Sequence, residues 1–429
     1  MRIFIIGGTG LIGSAIVAHA RSEGYQVVVL ARRVPAAFVP NGLSWLKANL
    51  AELTLPQQWL EHLRGIDAVV NCAGILQDAP GESARQVHSE AVKALVSACQ
   101  TMGVRRFIHF SAVGVEREGE SAFSRTKQEG ESWVGTSDLD WVILRPSVVL
   151  GRAAYGGSAA VRGLAALPVL PTLPQTGPLQ VVQLDDVAAT VMFFLRTDAP
   201  ARVTLELVGP QRLSLSAVVA LYRQWFGWRP ARLVALSPWA AAILYRLGDI
   251  AGWLGWRPPL RSNARLELRR GAIGDPGPWT ELTGIRPRPL AQALAAAPAS
   301  VQERWFARLY VLKPILIAAI ALFWMITGLL SLGPGYANGV DLMQEGGAGR
   351  LAGPAVIAGG LADLAIGVAI FFRRATKYAL WAGIALAAFY AVMGTLLLPR
   401  LWIEPLGPLL KIWPIVLLMA VALAILRDR

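Results

Sequence analysis

Apolar and polar positions change rhythm twice along this 429-residue chain. From residue 3 to about residue 155, short apolar runs alternate with amphipathic stretches. "RIFII", "YQVVVLARR", "GIDAVVNCAGIL", "VRRFIHFSAVGV" and "LDWVILRPSVVLGR" read as buried strands. Between them apolar residues recur every three or four positions, the period of a helix packed on one face. Strands alternating with helices over 150 residues predict an α/β doubly wound parallel sheet. Residues 156–300 are mixed and predict a smaller substrate-side subdomain and a connector. After residue 300 four apolar runs follow one another, at 314–332, 353–372, 378–398 and 406–426. Each is near the ~20 residues that cross a ~30 Å hydrocarbon core, so 301–429 is predicted to be an all-α, four-helix transmembrane bundle.

Composition agrees. Apolar residues make up 54% of the chain and charged residues only 16%. The 41 Lys and Arg against 28 Asp and Glu leave a formal charge of +13. No aromatic-basic module or zinc spacing accompanies that charge, so nucleic acid is not expected as a partner; anionic lipid is. The two cysteines, Cys72 and Cys99, fit no metal spacing and suggest a reducing compartment. Arg304, Arg308 and Lys313 precede the first run, Arg373, Arg374 and Lys377 join the second to the third, and Arg427 and Arg429 close the chain. The other two loops carry Asp341, Glu345 and Arg350, then Arg400 and Glu404. That bias puts the N-terminal region and the C-terminus in the cytoplasm. Asp363 is mid-span, a functional position or a helix–helix partner by default, and Lys411 is its nearest basic candidate.

The segment 237–260 is apolar and rich in Trp but interrupted by Arg246 and Asp249, which excludes a fifth span. It is expected either to lie in the membrane interface or to form an ordinary lid helix. Arg261, Arg265 and Arg269 make a basic stripe facing lipid phosphates or solvent.

Chemistry concentrates at the first turn. After "RIFII", Gly7, Gly10 and Gly13 form G-x-x-G-x-x-G and open a helix. A dinucleotide pyrophosphate needs this: a tight turn, close backbone approach, and the amides of Thr9, Gly10, Leu11 and Ile12 at a helix N-terminus. Strand two ends in Arg32 and Arg33 where an acidic residue would hold a ribose 2′-hydroxyl. Arginine suits a 2′-phosphate, which favours NADP(H) over NAD(H). Ala73, Gly74, Ser111 and Pro146 fall at the carboxyl ends of later strands, where the ligand of such a sheet lies.

These motifs, with "FSRTKQEGE", "VVQLDDVA" and "LTGIRPRPL", resemble the extended and atypical short-chain dehydrogenases/reductases over about residues 1–295. The branch containing the nucleotide-binding accessory subunit of respiratory complex I is especially similar. The four-helix end resembles the DoxX-like membrane family, and the fusion looks like a bacterial family anchored in the inner membrane. The resemblance implies a Ser, Tyr and Lys site. Ser111 and Lys127 match, but Phe123 stands four residues before Lys127, where the family has its Tyr. His88, on the helix before the Ser111 strand, is a substitute acid candidate. Three functions stay open: an NADP(H) oxidoreductase acting on a quinone or lipid-soluble substrate, a non-catalytic NADPH-binding subunit of a membrane complex, and a sugar-nucleotide epimerase or dehydratase, which needs the Tyr.

Overall fold

The computed structural model describes residues 1–32, 34, 41–76, 78, 83–117, 121–405 and 407–426. In chain order the strands are β1 (Arg2–Ile6), β2 (Gln26–Ala31), β3 (Leu43–Lys47), β4 (Ala68–Asn71), β5 (Arg106–Phe110), β6 (Asp140–Pro146), β7 (Val149–Leu150), β8 (Val169–Thr172), β9 (Val182–Gln183), β10 (Val203–Leu207) and β11 (Arg232–Ala235). Seven form one sheet in the order β10-β6-β5-β4-β1-β2-β3, every pairing parallel. A parallel sheet covered on both faces needs near-continuous apolar strands, which these are. Ile3 and Ile5 point to one face and pack against Ile16 and Ala20 of the first helix (Leu11–Ser22) and Val187 and Val191 of the helix Leu184–Phe194. Phe4 and Ile6 point to the other, against Trp59 and the Ala91–Met102 helix. The strand β10 comes from the stretch expected on the substrate side. The two-stranded pairs β8–β11 and β7–β9 are additions the apolar pattern did not disclose.

Strand order reverses between β1 and its neighbours β2 and β4. In such sheets ligands bind in the crevice at this switch point, beyond the strand carboxyl ends.

The chain divides into two compact units, residues 1–249 with 258–307, and residues 250–257 with 308–429. Among the described residues three helices are long and apolar enough to cross a membrane: Val301–Leu332, which begins in the first unit and continues in the second, and Gly349–Phe371 and Thr376–Leu397 in the second. The first run is therefore part of a longer helix that begins before residue 314 and carries Pro314 inside it. A short helix, Tyr336–Glu345, follows it, which the sequence reading lacked. The fourth run is helical only over Ile412–Ile425, because Gly407 and Pro408 hold the preceding residues in a turn. Leu406, Arg427 and Arg429 lie outside the described residues.

The basic stripe is not a single face. Arg261 turns inward, its Nε 3.3 Å from Asp249 Oδ1 and its Nη1 donating to Asp78 O at 3.0 Å. It precedes the helix Ser262–Arg270, so helical spacing does not align it with the exposed Arg265 and Arg269.

Candidate functional site

The turn after β1 is shaped by what a side chain would hit. Gly7 has φ +79°, and a Cβ there would stand 3.0 Å from Ala73 Cα, so the turns after β1 and β4 touch. A Cβ on Gly13 would overlap Gly7 O and come within 2.7 Å of Gly8 Cα. Gly10 caps the Leu11–Ser22 helix with no side-chain acceptor. The amides of its first turn, at Leu11 and Ile12 beside the exposed Thr9, therefore have no side-chain cap from Gly10. Arg32 is exposed just past β2, and Arg33 lies outside the described residues.

The Ser111 and Lys127 regions meet, as the motif requires. Ser121 caps the helix Ala122–Gly135, its Oγ accepting from Ser124 N at 3.0 Å. One turn further in, buried Lys127 donates from Nζ to Phe110 O at 2.7 Å and to Ala73 O at 3.2 Å. Phe110 adjoins Ser111, whose buried Oγ has no hydrogen-bond partner among the described residues. Pro146 ends β6, and its carbonyl accepts from Val113 N at 3.1 Å. A Cβ on Gly74 would stand 3.3 Å from Lys127 Nζ and 3.6 Å from His88 Nε2, so the β4 turn passes close over both side chains. Burial pulls the Lys127 pKa down to about 8, against the opposing influence of Cys72 and Glu131.

His88 is not the substitute acid. Its ring meets Phe123 edge-on at 5.5 Å. Ile75 N donates to Nε2 at 3.0 Å, so that nitrogen carries no proton. Nδ1 donates to Thr126 Oγ1 at 2.9 Å, and Thr126 in turn donates to Ala122 O at 2.8 Å. Burial first, then the Lys127 charge and His109, holds His88 well below the ordinary histidine pKa and so neutral. Both nitrogens are committed to holding the β4 turn on the Lys127 helix.

The chain matches the NAD(P)H-binding family over residues 7–192 and the DoxX-like family over residues 321–420. It carries an NAD(P)-binding Rossmann domain and a DoxX-like domain. Similar curated proteins include the ceramide reductase of Caulobacter vibrioides, 26% identical over 203 residues, covering 47% of this chain and 63% of the reductase. The photosystem II assembly factor Ycf39 of Synechocystis is 27% identical over 234 residues, covering 53% of this chain and 68% of that factor. Among solved structures, the UDP-glucuronic acid 4-epimerase of Bacillus cereus superposes with TM-score 0.53 at 17% identity, over 72% of this chain and 99% of the epimerase. That likeness establishes a short-chain dehydrogenase/reductase-like fold and nothing of its substrate.

The Rossmann domain also holds residues that sequence reasoning passed over. Asn71 Nδ2 donates to His109 Nδ1 at 3.2 Å, while Asn71 Oδ1 accepts from Ala73 N at 3.2 Å. His109 is fully buried, and among the described residues its Nε2 has no hydrogen-bond partner. Gly130 lets the Lys127 helix seat on the π-helical turn Gln86–Glu90, since a Cβ there would overlap His88 O. Only the "NCAG" stretch hinted at any of this; each partner lies tens of residues away.

In the DoxX-like domain Asp363 is buried, and its Oδ1 accepts from Tyr390 Oη at 3.0 Å. Lys411 is not its partner: it is exposed at the start of the last helix, and among the described residues it forms no ion pair with Asp363. A neutral donor from the adjacent helix takes the place expected for a cation.

Proposed function

We propose that the chain is a membrane-bound NADP(H)-dependent oxidoreductase whose substrate is a lipid-soluble acceptor, such as a quinone, that needs no proton from the protein. The residues fit the cofactor. Gly7 and Gly13 let backbone pack on backbone where a Cβ would clash, which gives the tight turn a pyrophosphate site needs. The Leu11 and Ile12 amides suit the pyrophosphate, Arg32 with Arg33 a 2′-phosphate, and Ala73, Gly74 and Pro146 the wall of the nicotinamide end. The third N–H of Lys127 and the orphaned Ser111 Oγ suit ribose or substrate hydroxyls. When bound, the reduced nicotinamide supplies a hydride.

One observation carries the reading: Phe123 has no acidic proton, and its neighbour His88 is neutral with both nitrogens occupied. Reducing a ketone to an alkoxide calls for a positioned acid, whose loss slows such reactions about 10²–10⁴-fold. A quinone that took the hydride would become a hydroquinone anion, a far weaker base than an alkoxide, and would collect its proton from water. We place the domain with its C-terminus on the cytoplasmic side of a bacterial inner membrane, where NADPH is available.

A second reading, a non-catalytic NADPH-binding assembly subunit, draws on the same Phe123 and on the similarity to Ycf39. Detergent-purified protein separates them. NADPH oxidation that depends on a soluble quinone and is lost in Lys127→Ala supports the enzyme. Nucleotide retained through purification with no turnover supports the subunit. In the same assay Arg32→Ala is expected to weaken NADPH binding and leave NADH binding unchanged; equal loss for both would sink the 2′-phosphate role.

A further inference from the structure

The outward face of the helix Pro238–Trp253 is unexplained by nucleotide binding. A surface helix of a soluble domain turns polar side chains to water. This one turns out Trp239, Ile243, Leu247, Ile250 and Trp253, which are 70, 49, 57, 55 and 75% exposed. At ~100° per residue these five fall within an arc of about 120°. Ala241 and Tyr245 point the other way, into the protein. Arg246 is the one charged residue on the arc. Asp249 flanks it and is held by Arg261 and Ser262. The strand β11, which leads into the helix, adds Leu233, 59% exposed. A contiguous apolar face of this extent marks a binding surface.

Two observations identify lipid as its occupant. The first is continuity with a membrane-spanning helix. The end of this helix and the residues after it pack in the DoxX-like unit. There the Trp253 ring faces the Phe372 ring at 6.5 Å, Trp256 Nε1 donates to Phe371 O at 2.7 Å, and Arg373 N donates to Leu254 O at 3.0 Å. Phe371 is the last residue of the helix Ala352–Phe371. The last residues of the helix, from Ile250 onward, are therefore tethered to the end of an apolar helix long enough to span a membrane. The second is residue choice. Tryptophan at both ends suits the headgroup boundary, and an arginine stem lies along apolar surface while its guanidinium reaches phosphate.

We propose that the helix Pro238–Trp253 lies flat in the membrane–water interface, with the Trp239-to-Trp253 stripe among the acyl chains and Arg246 at the lipid phosphates. Such helices sink about 5–10 Å into the headgroup boundary. The proposal stands whether or not the Rossmann domain catalyses a reaction.

The test uses the full chain in nanodiscs of phosphatidylcholine and phosphatidylglycerol, with Cys72→Ala and Cys99→Ala as background. Ile243→Cys, Leu247→Cys and Ile250→Cys carry an environment-sensitive fluorophore, and the exposed positions Glu23→Cys and Gln224→Cys serve as controls. Lipids brominated at shallow acyl carbons are expected to remove most of the fluorescence at the three stripe positions and none at the controls. Leu247→Glu, at an exposed site and checked for retained nucleotide binding, is expected to lessen quenching at 243 and 250. Two outcomes overturn the proposal. Stripe labels that are water-accessible and unquenched would leave the face in solvent. Labels that are shielded from water yet unquenched would mean a protein surface, such as a second copy of the chain, covers it.

Discussion

Lys127 is where the chemistry of this protein can be tested one proton at a time. Its ammonium has three N–H groups, and two are spent on Phe110 O and Ala73 O. Only the protonated form keeps a third for a ribose hydroxyl. Burial pulls its pKa to about 8, so that third donor is present below about pH 8 and lost above it. NADPH affinity is therefore expected to fall as pH rises through about 8. Lys127→Met should lower affinity about 10- to 100-fold, the worth of a charged hydrogen bond, and flatten the profile. Titrations at pH 7 and 9 check this; the same pH dependence in Lys127→Met would assign it to another group. At this scale legibility follows sequence distance. Gly7, Gly10 and Gly13 sit in one turn, and Lys127 and Phe123 one helical turn apart, so spacing disclosed them. His88 with Thr126, and Asn71 with His109, are each 38 residues apart, and no local pattern reports such pairs. His88 accordingly looked available as an acid until its two partners were seen.

Between elements, the position of Lys127 depends on how closely its helix approaches the turn Gln86–Glu90. Gly130 sets that approach, because a Cβ would overlap His88 O. Backbone cannot yield as a side-chain tip can. Gly130→Ala is expected to destabilise the protein by about 1–3 kcal/mol, in spite of alanine's better helix propensity, and to weaken NADPH binding as Lys127 shifts. Gly135→Ala, on the same helix with open space at its Cβ, is the control and should be neutral or slightly stabilising. A thermal melt of the two variants decides it; equal melting temperatures would mean that the helix slides without loss. The sheet itself was legible because buried parallel strands are written as unbroken apolar runs. The pairs β7–β9 and β8–β11 were not, since two to four residues carry no readable period. The fourth apolar run was overread for a related reason: hydropathy marks what lipid accepts, not where Gly407 and Pro408 end a helix.

For the whole molecule, the open matter is how many times the chain crosses the bilayer. The helix Ile412–Ile425 has 14 residues and at 1.5 Å each is about 21 Å long, short of a ~30 Å core. Its far end nevertheless reaches the second-to-third helix loop, because Arg373 Nη2 donates to Leu426 O at 2.9 Å. At the other end of the unit Arg400 joins two loops, pairing with Glu345 and, at 3.5 Å, with Glu404. The Arg400 loop thus keeps a charge already matched by two acids. The loop with Arg373, Arg374 and Lys377 has no acidic residue. By the positive-inside rule that loop is expected in the cytoplasm, and the Arg373–Leu426 contact brings the end of the last helix close to it, so the end of that helix is expected on the same side. A fourth crossing would need residues 407–411, which form a turn, to make up the missing length. Four crossings are the expected outcome: a fluorescent protein fused after residue 426 should fluoresce, and alkaline phosphatase inserted between Gly346 and Arg350 should be active. A dark C-terminal fluorescent fusion, with alkaline phosphatase active both in the Gly346–Arg350 loop and when fused after residue 426, would mean three crossings, and would leave Asp363 and Tyr390 in a bundle of three spanning helices rather than four.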